Sequence, residues 1–298
     1  MKIKAVAPWF GGKRTLAPRI VAELGEHRAY LEPFVGGISV PLVKPRARKE
    51  TLNDLHGDLT HLAMVVASSR AYDLYDRVTR TLYSESVFEY ASEVVQSDDP
   101  AMITDTPHAV TLDHVERAWA YLVVSWMGRN GAAGTERVKY QFTTRYTGNG
   151  GDSATRWASV AASVPAWHDR LIGVDITRRD GLALIEKFED APGVAIYCDP
   201  PYLAEGGAYA HRFAAGGVFG DDHARLADAL NAKQHTRVVV SYYADARLDE
   251  LYPGNKWTRV QIDVNKKLAA QNHRGTNHTR ATEVLLINGP SHTAEAVA

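Results

Sequence analysis

Residues 193–202, GVAIYCDPPY, run from a short apolar segment into an acid and two prolines. Short, apolar segments that are partly β-branched are typical of buried strands. Because Pro200 and Pro201 have no backbone N–H to donate, the strand is expected to end at Asp199. In open α/β sheets, ligands bind at the carboxyl ends of the strands. The segment therefore predicts an α/β sheet with a ligand site at Asp199.

The Asp-Pro-Pro-Tyr sequence carries groups that suit the amine of a nucleobase. Such an amine is a weak nucleophile, because its lone pair is delocalised into the ring. The Asp199 carboxylate and the Pro200 carbonyl, held rigid by Pro201, could accept its two N–H bonds. Tyr202 could then stack on the base. An ordinary turn at the end of a strand is the alternative, since Asp-Pro and Pro-Pro mark turns in general.

The composition is ordinary for a globular protein. With 298 residues, 45% hydrophobic and 23% charged, the chain is long enough for one large domain or a domain with an insertion. No apolar run reaches the length of a membrane span and no apolar signal core is present, so a cytoplasmic location is expected. The single cysteine, Cys198, excludes an internal disulfide and a cysteine-based zinc site.

Charge is separated along the chain, although the net charge is only −1. Residues 1–49 hold ten Lys and Arg against three Asp and Glu, whereas residues 50–116 hold three against thirteen. Residues 256–280 hold six basic residues against one acid. A molecule with separate basic and acidic faces can bind a polyanion, and solvated surface is the alternative for each cluster.

Two glycine turns come early in the chain. Residues 7–13, APWFGGK, offer backbone N–H groups and the Lys13 cation to an anion or a carboxylate. They are not a P-loop, because Ala7 stands at its first glycine and Arg14 at its Ser/Thr. Residues 30–40, YLEPFVGGISV, predict a strand, a glycine turn that lets a ligand approach the backbone, and a helix start.

Asp54 follows the second predicted strand, residues 50–53, eighteen positions after Gly36. An acid at this place commonly holds ribose hydroxyls in nucleoside-binding α/β folds, and a helix N-cap is the alternative. Asp180 lies just beyond a further predicted strand, residues 174–177. The remaining predicted elements are strands at 237–242, 257–264 and 283–287 and helices at 15–25, 182–188 and 222–232.

The middle of the chain is predicted to be mostly helical over residues 55–128. Its apolar residues recur at helical spacing: Leu59, Leu62, Ala63 and Val66, and then Leu74, Tyr75, Val78 and Leu82. Ser86 and Glu89 match a capping box. Residues 128–157 mix glycine, basic and aromatic residues, which suits phosphates and unstacked bases, with a flexible surface insertion as the alternative. The glycine-rich residues 204–220 are a candidate lid or DNA-contacting loop.

Alternating strands and helices, candidate sites at strand ends and a closing hairpin predict a doubly wound α/β sheet. Residues 1–55 and 171–290 are expected to form the catalytic, cofactor-binding domain that holds this sheet. Residues 56–170 are expected to form a largely helical insertion, and residues 291–298 a loose tail.

Four motifs, in this order, resemble those of the Dam-type (D12 class) DNA adenine-N6 methyltransferases. They are PWFGGK at 8–13, EPFVGG at 32–37, LND at 52–54 and DPPY at 199–202, and the resemblance covers most of the chain. It implies a Rossmann-like S-adenosylmethionine-dependent methyltransferase sheet, with the helical insertion recognising the target. It also implies methyl transfer to the N6 amine of an adenine flipped out of double-stranded DNA, without a metal.

The resemblance assigns roles to individual residues. Trp9 and Lys13 contact the cofactor, Phe34 and Gly36 border its methionine part, and Asp54 takes the ribose hydroxyls. Asp199 lies between cofactor and substrate amine and acts with Pro200, Pro201 and Tyr202. Asp180 is assigned to the adenine of the cofactor, and the family usually acts as monomers.

The chain departs from the family pattern at two places. Ile38 stands where the glycine loop often carries another glycine. In the insertion only residues 129–131 resemble the target-recognition region, so no recognition sequence or restriction partner is carried over. The DNA contacts expected there are Arg129, Asn130, Lys139 and Arg145.

Other functions remain open at this stage. Asp at position 199 favours adenine over cytosine N4, where Ser is usual, and over protein glutamine, where Asn is usual. RNA remains a candidate substrate, because a single-stranded base needs no flipping. The alternative from another class is a non-catalytic DNA-binding protein on a methylase fold, which would not bind S-adenosylmethionine.

Overall fold

A computed structural model describes residues 3–9, 11–97, 110–128, 141–144, 152–203, 213, 221–265 and 280–293. Within these ranges, seven strands form one sheet in the order β3-β2-β1-β4-β5-β7-β6. The strands are β1 (Ala29–Glu32), β2 (Lys49–Asn53), β3 (Asp175–Thr177), β4 (Val194–Cys198), β5 (Arg237–Tyr243), β6 (Trp257–Asn265) and β7 (Arg280–Asn288). The predicted α/β fold and all seven predicted strands are confirmed.

The strand order reverses between β1 and β4. From β1 the sheet continues to β2 and β3 toward one edge, and from β4 it continues to β5 toward the other edge. All five strands are parallel. β7 then pairs antiparallel with both β5 and β6. Loops that follow neighbouring strands diverge at such a reversal and leave a crevice at the carboxyl ends. Asp199 follows β4 at this point.

Ten helices lie within the described ranges, and six of them come between β2 and β3. The helices are α1 (Ala17–Leu24), α2 (Gly57–Ala67), α3 (Ala71–Arg80), α4 (Glu85–Gln96), α5 (Leu112–Met127), α6 (Ser153–Ala161), α7 (Val164–Leu171), α8 (Gly181–Lys187), α9 (Asp222–Asn231) and α10 (Arg247–Leu251). The expectation of a largely helical segment after β2 is met by α2 to α7.

Helix ends differ from the predicted ones in three places. The predicted N-cap Thr15 is wrong, because α1 is preceded by Leu16 without a side-chain cap. The capping box predicted at Ser86 is also wrong: Ser84 caps α4 by accepting a hydrogen bond from the Val87 N–H at 3.4 Å. Leu82 lies beyond α3 and is 75% exposed, so it does not belong to the apolar face of that helix.

Apolar cores cover both faces of the sheet. Along β4, Ala195 and Tyr197 face one core while Ile196 and Cys198 face the other, as the alternation of a strand requires. The first core joins the sheet to α1, α2, α3, α4, α5, α6 and α7, and the second joins it to α8, α9 and α10. The helices between β2 and β3 therefore pack against the sheet itself.

Two tryptophans tie these helices to the start of the chain. The Trp126 indole N–H donates to the Val6 carbonyl at 2.9 Å, and the Trp167 indole N–H donates to the Ile3 carbonyl at 3.0 Å. The segment before the PWFGGK turn is thus held between α5, α7 and the glycine loop, where the Val6 N–H donates to the Gly37 carbonyl. No helix in the described ranges combines the length and apolar character needed to cross a membrane.

The start of the predicted loose tail is anchored. Glu23 of α1 is fully buried and accepts hydrogen bonds from the Ser291 hydroxyl at 2.7 Å, the His292 N–H at 2.8 Å and the Thr293 hydroxyl. Arg237 lies 3.5 Å from the same carboxylate. The prediction is therefore wrong for residues 291–293, while residues 294–298 lie outside the described ranges.

Candidate active site

A cleft of about 370 Å³, counted with the space that is open to solvent, lies at the reversal of strand order between β1 and β4. Asp199 lines this cleft, and so do four of the other five residues that were predicted to bind the cofactor. The complete lining is Trp9, Gly12, Lys13, Glu32, Phe34, Val35, Gly36, Gly37, Ser39, Val40, Tyr197 and Asp199. Residues distant in sequence thus meet in one concave site.

The glycine loop packs directly on the PWFGGK turn. Gly36 has φ 48°, and a Cβ atom there would come within 2.8 Å of the Trp9 ring. A Cβ atom at Gly37 would lie 2.4 Å from the Ala7 carbonyl oxygen. Only glycine permits this close approach, which presses Trp9 against the loop and makes the two segments one wall of the cleft.

Ile38 also has a left-handed backbone, with φ 60°, and it is fully buried. A β-branched side chain in this region is strained, because its Cβ crowds the following carbonyl oxygen. The departure from the family pattern noted in the sequence therefore falls at a position whose backbone suits glycine. The Ile38 side chain packs in the core on the helical side of the sheet, which offsets that strain.

Asp54 joins the loops that follow β1 and β2. Its carboxylate accepts hydrogen bonds from the Gly36 N–H and from the His56 N–H, both at 2.9 Å. The N-cap of α2 is His56, whose Nδ1 accepts from the Leu59 N–H at 3.3 Å, so the alternative N-cap role of Asp54 is wrong. Asp54 is absent from the lining of the cleft, and its contact with ribose stays a prediction.

Phe34 and Asp180 meet at the start of α8. A Cβ atom at Gly181 would lie 2.6 Å from the Phe34 ring, and the Phe213 ring packs edge-on against Phe34 with centroids 5.5 Å apart. Asp180 caps α8 by accepting from the Leu182 N–H at 3.0 Å, and its side chain is 53% exposed. This cap explains an acid at position 180 without a ligand, and a contact with cofactor adenine stays a prediction.

Lys13 forms an ion pair with Asp199. Its Nζ lies 2.8 Å from Asp199 Oδ1 and 3.5 Å from Glu283 Oε1, and it donates to the Gly11 carbonyl at 2.7 Å. The Lys13 side chain is only 6% exposed. Lys13 thus meets a carboxylate of the catalytic motif, and its contact with the cofactor stays a prediction.

The protonation of Asp199 is poised close to neutral pH. Burial raises the pKa of this carboxyl to about 6, with Lys13 opposing the shift and the Glu283 carboxylate adding to it. Burial by itself lowers the pKa of Lys13, but Asp199 and Glu283 outweigh it and the pKa is raised. Lys13 is therefore charged, whereas Asp199 can gain or lose a proton near pH 6.

Tyr202 is buried behind Asp199. It is 3% exposed, its ring packs edge-on against Tyr243 with centroids 4.6 Å apart, and Lys13 Nζ lies 4.9 Å from its ring centroid. Its hydroxyl donates to Glu283 Oε1. A base could stack on this ring only after neighbouring atoms move, so the stacking role stays a prediction.

Two acidic residues of the site were not predicted from the sequence to have a role. Glu32 lines the cleft, is 2% exposed and accepts a hydrogen bond from the Tyr30 hydroxyl at 2.6 Å. Burial raises the pKa of Glu32 well above its usual range, which favours the neutral carboxyl. Glu283 lies on β7 and is 3% exposed. The one available signal for Glu283 was an acid inside the apolar strand ATEVLLIN.

The predicted DNA contacts Arg129, Asn130, Lys139 and Arg145 lie outside the described residues. The same holds for residues 204–220 apart from Phe213, and for residues 266–279. In the part of the chain that the structure describes, no three His, Cys, Asp or Glu side chains are grouped as metal ligands.

The sequence is similar to known methylases over nearly its whole length. The model of the family described as D12 class N6 adenine-specific DNA methyltransferase matches residues 9–265. Two proteins of Vibrio cholerae serotype O1, from strains O395 and N16961, are named DNA adenine methylase. Each is 24% identical to this chain over 306 aligned residues, with 99% of each chain covered.

Among solved structures, a precorrin 8W decarboxylase of Methanobacterium thermoautotrophicum covers 93% of this chain and 90% of its own. Its TM-score of 0.35 and identity of 11% are too low to support an argument. The family match spans both the β1/β4 cleft and the Asp-Pro-Pro-Tyr motif. The chain belongs to the D12 class of N6 adenine-specific DNA methyltransferases, a family that uses S-adenosylmethionine as methyl donor.

Proposed function

We propose that this chain methylates the N6 amine of a flipped adenine in double-stranded DNA, using the β1/β4 cleft as its S-adenosylmethionine site. One observation carries the proposal: Asp199 lies in the same cleft as Trp9, Lys13, Phe34 and Gly36. This proximity supports a site in which Asp199 holds the amine and the other four residues hold the donor.

The residues of the cleft fit S-adenosylmethionine. The donor carries a positive sulfur, and the cleft contains the Asp199 carboxylate. Trp9 and Phe34 supply apolar ring surface, and Gly36 lets the Trp9 ring lie directly against the loop. Asp54 supports the loop from behind through the Gly36 N–H. When bound, S-adenosylmethionine supplies a methyl group that is already activated by the sulfonium.

Asp199 and Pro200 act on the amine of the substrate. Their carboxylate and carbonyl oxygens each accept one N–H bond, which returns the lone pair to the nitrogen. Pro200 and Pro201 restrict the backbone, so that the carbonyl keeps its direction. Because the pKa of Asp199 is raised to about 6, this carboxylate can also hold the proton that the methylated amine loses. Alignment and electrostatics are the main catalytic contributions.

The helices between β2 and β3 and the segment that follows α5 form the target-recognition part in this proposal. Arg129, Asn130, Lys139 and Arg145 are the proposed contacts with DNA, through phosphates and unstacked bases. The sheet residues 1–55 and 171–290 form the catalytic part, and the enzyme acts as a monomer. Removing an adenine from the duplex costs a few kcal/mol, which contacts with Asp199, Pro200 and Tyr202 would offset.

The test is transfer of labelled methyl from S-adenosylmethionine to unmethylated genomic DNA, followed by modification-sensitive sequencing. N6-methyladenine in one short motif is the expected result. Matched duplex DNA, single-stranded DNA and RNA of one sequence identify the substrate class. Label on RNA alone would refute DNA as the substrate, and absence of S-adenosylmethionine binding by calorimetry would favour the non-catalytic alternative.

The variant that probes the mechanism is Asp199→Ala, with Glu189→Gln as a control. Glu189 is 64% exposed and pairs only with the exposed Arg28, at 3.6 Å, among the described residues. Asp199→Ala should abolish methylation and keep the circular dichroism of the wild type. Near-normal turnover in this variant would contradict the mechanism.

A further inference from the structure

We propose that Glu283 is a positioning residue for methyl transfer, because it anchors the Tyr202 hydroxyl and shares Lys13 with Asp199. The inference rests on the proposed function and adds a residue that the catalytic motifs do not contain. Glu283 is 84 residues away from Asp199 in sequence. It reaches the site only because β7 turns back antiparallel beside β5.

The register of the sheet places Glu283 behind the catalytic motif. On β7 it lies opposite Tyr243 of β5 and Ile262 of β6. Its Oε1 accepts the hydrogen bond of the Tyr202 hydroxyl and lies 3.5 Å from Lys13 Nζ. A charged side chain that is 3% exposed on a central strand is unfavourable unless its partners compensate for lost water. Here both known partners belong to the catalytic site.

The charge balance of this cluster is uneven. Within the described residues, Lys13 is the one cation that pairs with either Asp199 or Glu283. Two carboxylates therefore share one ammonium group, and the surplus negative charge suits a cationic methyl donor. Lys13 Nζ lies 2.8 Å from Asp199 Oδ1 and 3.5 Å from Glu283 Oε1. Because its positive charge is shared, it does not fully neutralise Asp199. Glu283 in this way keeps Asp199 a stronger hydrogen-bond acceptor.

The titration of Asp199 depends on groups from every element packed around it. These groups are Lys13 of the PWFGGK turn, Glu32 of β1, Tyr197 and Cys198 of β4, Tyr202 of the catalytic motif, Tyr242 of β5 and Glu283 of β7. Tyr243 of β5 acts on Lys13. Of these groups, Glu283 is the one whose carboxylate touches both Lys13 and Tyr202.

The hydroxyl bond also orients the Tyr202 ring. The Tyr202 ring packs edge-on against Tyr243 and lies beside Lys13 Nζ, and the Tyr202 hydroxyl donates a hydrogen bond to the Glu283 carboxylate. Without the Glu283 acceptor the buried hydroxyl would keep only its bond to Asp199, and the ring could shift. A misplacement of about 1 Å in an active site can reduce the rate by about 100-fold.

The experiment compares Glu283→Gln, Glu283→Ala and Tyr202→Phe with the wild type and with Glu189→Gln. Glu283→Gln keeps an oxygen that can accept the Tyr202 hydroxyl but removes the charge. Tyr202→Phe keeps the charge of Glu283 but removes the hydroxyl. For each variant we would measure the melting temperature, S-adenosylmethionine affinity by calorimetry, and kcat and kcat/KM for DNA between pH 5 and pH 9.

At low pH, kcat/KM is expected to fall as Asp199 gains a proton, and we call this part of the pH profile the acid limb. In Glu283→Gln the acid limb should move to lower pH by roughly one unit, because a like charge beside Asp199 is gone. Its kcat should fall several-fold, and Glu283→Ala should lose roughly 100-fold because the ring is also released. Tyr202→Phe should lower kcat and move the acid limb to higher pH, because the hydrogen bond from the Tyr202 hydroxyl lowers the pKa of Asp199. Glu189→Gln should match the wild type.

If Glu283→Gln left both kcat and the acid limb of kcat/KM unchanged, the inference would be overturned. A glutamate with a purely structural role would affect folding and not these two quantities. If Glu283→Gln does not fold, a Tyr202→Phe variant with wild-type kcat would overturn it instead. A wild-type enzyme that transfers no methyl group to any nucleic acid would refute the proposed function itself. The two failures are therefore distinguishable.

Discussion

At the scale of single residues, the titration of Asp199 leads to a pH prediction. Its raised pKa of about 6 means that the carboxylate form is lost as the pH falls below that value. Because only the carboxylate accepts both the amine hydrogen bond and its proton, kcat/KM should be level above about pH 7. Below pH 6 it should fall, approaching tenfold per pH unit. Steady-state kinetics between pH 5 and pH 9 measure this limb.

The control for that prediction is Asp199→Asn. The amide is uncharged at all these pH values, so any residual rate should lack the limb. A limb that persists in Asp199→Asn would assign the titration to another group, such as Glu32. Circular dichroism at pH 5 separates a loss of chemistry from a loss of fold.

Ile38 leads to a prediction about stability. Ile38→Ala and Ile38→Gly both remove a fully buried side chain and should each cost about 3 kcal/mol. In an ordinary helix or strand, Gly is less stable than Ala by about 1 kcal/mol. At φ 60° the order should reverse, because Gly adopts the left-handed region without strain. Urea unfolding at pH 7 of the two variants measures the difference.

A matched pair supports the interpretation of that experiment. Ile20 of α1 is also fully buried, but it lies in a regular helix. At this position Gly should be the less stable of the two replacements. If Ile38→Gly were less stable than Ile38→Ala by the same amount, the left-handed backbone at Ile38 would not be strained.

At the scale of secondary-structure elements, α1 is joined to the end of the sheet by Glu23. Burial alone would raise the pKa of this carboxyl, but hydrogen bonds from Ser291, His292 and Thr293, together with the charge of Arg237, lower it. A lowered carboxyl pKa stabilises the fold above the pKa of the unfolded chain, about 4.3. That stabilisation is lost as the pH falls through the folded-state pKa.

The corresponding variant is Glu23→Gln. At pH 7 it should reduce the free energy of unfolding by about 2 kcal/mol, because charged hydrogen bonds are lost. At pH 3 the difference from the wild type should shrink, since the wild-type carboxyl is then being protonated as well. Denaturant unfolding at both pH values measures the effect. The exposed Glu26, three residues away, provides the control Glu26→Gln, and an equal loss in both variants would contradict the anchoring role.

At the scale of the whole molecule, the shared core predicts cooperative unfolding. The helices between β2 and β3 and one face of the sheet belong to one apolar cluster, and Trp126 and Trp167 bond to the first described residues. Tryptophan fluorescence and far-ultraviolet circular dichroism should therefore report one coincident urea transition. Two separated transitions would mean that the helical part folds as an independent domain.

The sequence predicted the parts of this molecule that are local or periodic. The GVAIYC segment predicted β4 because its apolar residues adjoin a pair of prolines, and the motifs at 8–13, 32–37 and 199–202 predicted the components of the cleft. Helix ends were less predictable. Ser84 caps α4 although Ser86 and Glu89 matched the capping pattern, because nearby side chains compete for the same backbone groups.

Contacts between distant residues were decided by the tertiary structure. Periodicity indicates which face of a strand is buried, but it contains no information about which strand will be its neighbour. The pairing of β7 with β5 brings Glu283 to Tyr202 and Lys13, and the packing of the glycine loop brings Lys13 to Asp199. Sequence therefore establishes the chemistry available at Asp199, whereas long-range strand pairing and burial establish its charge partners and its pKa.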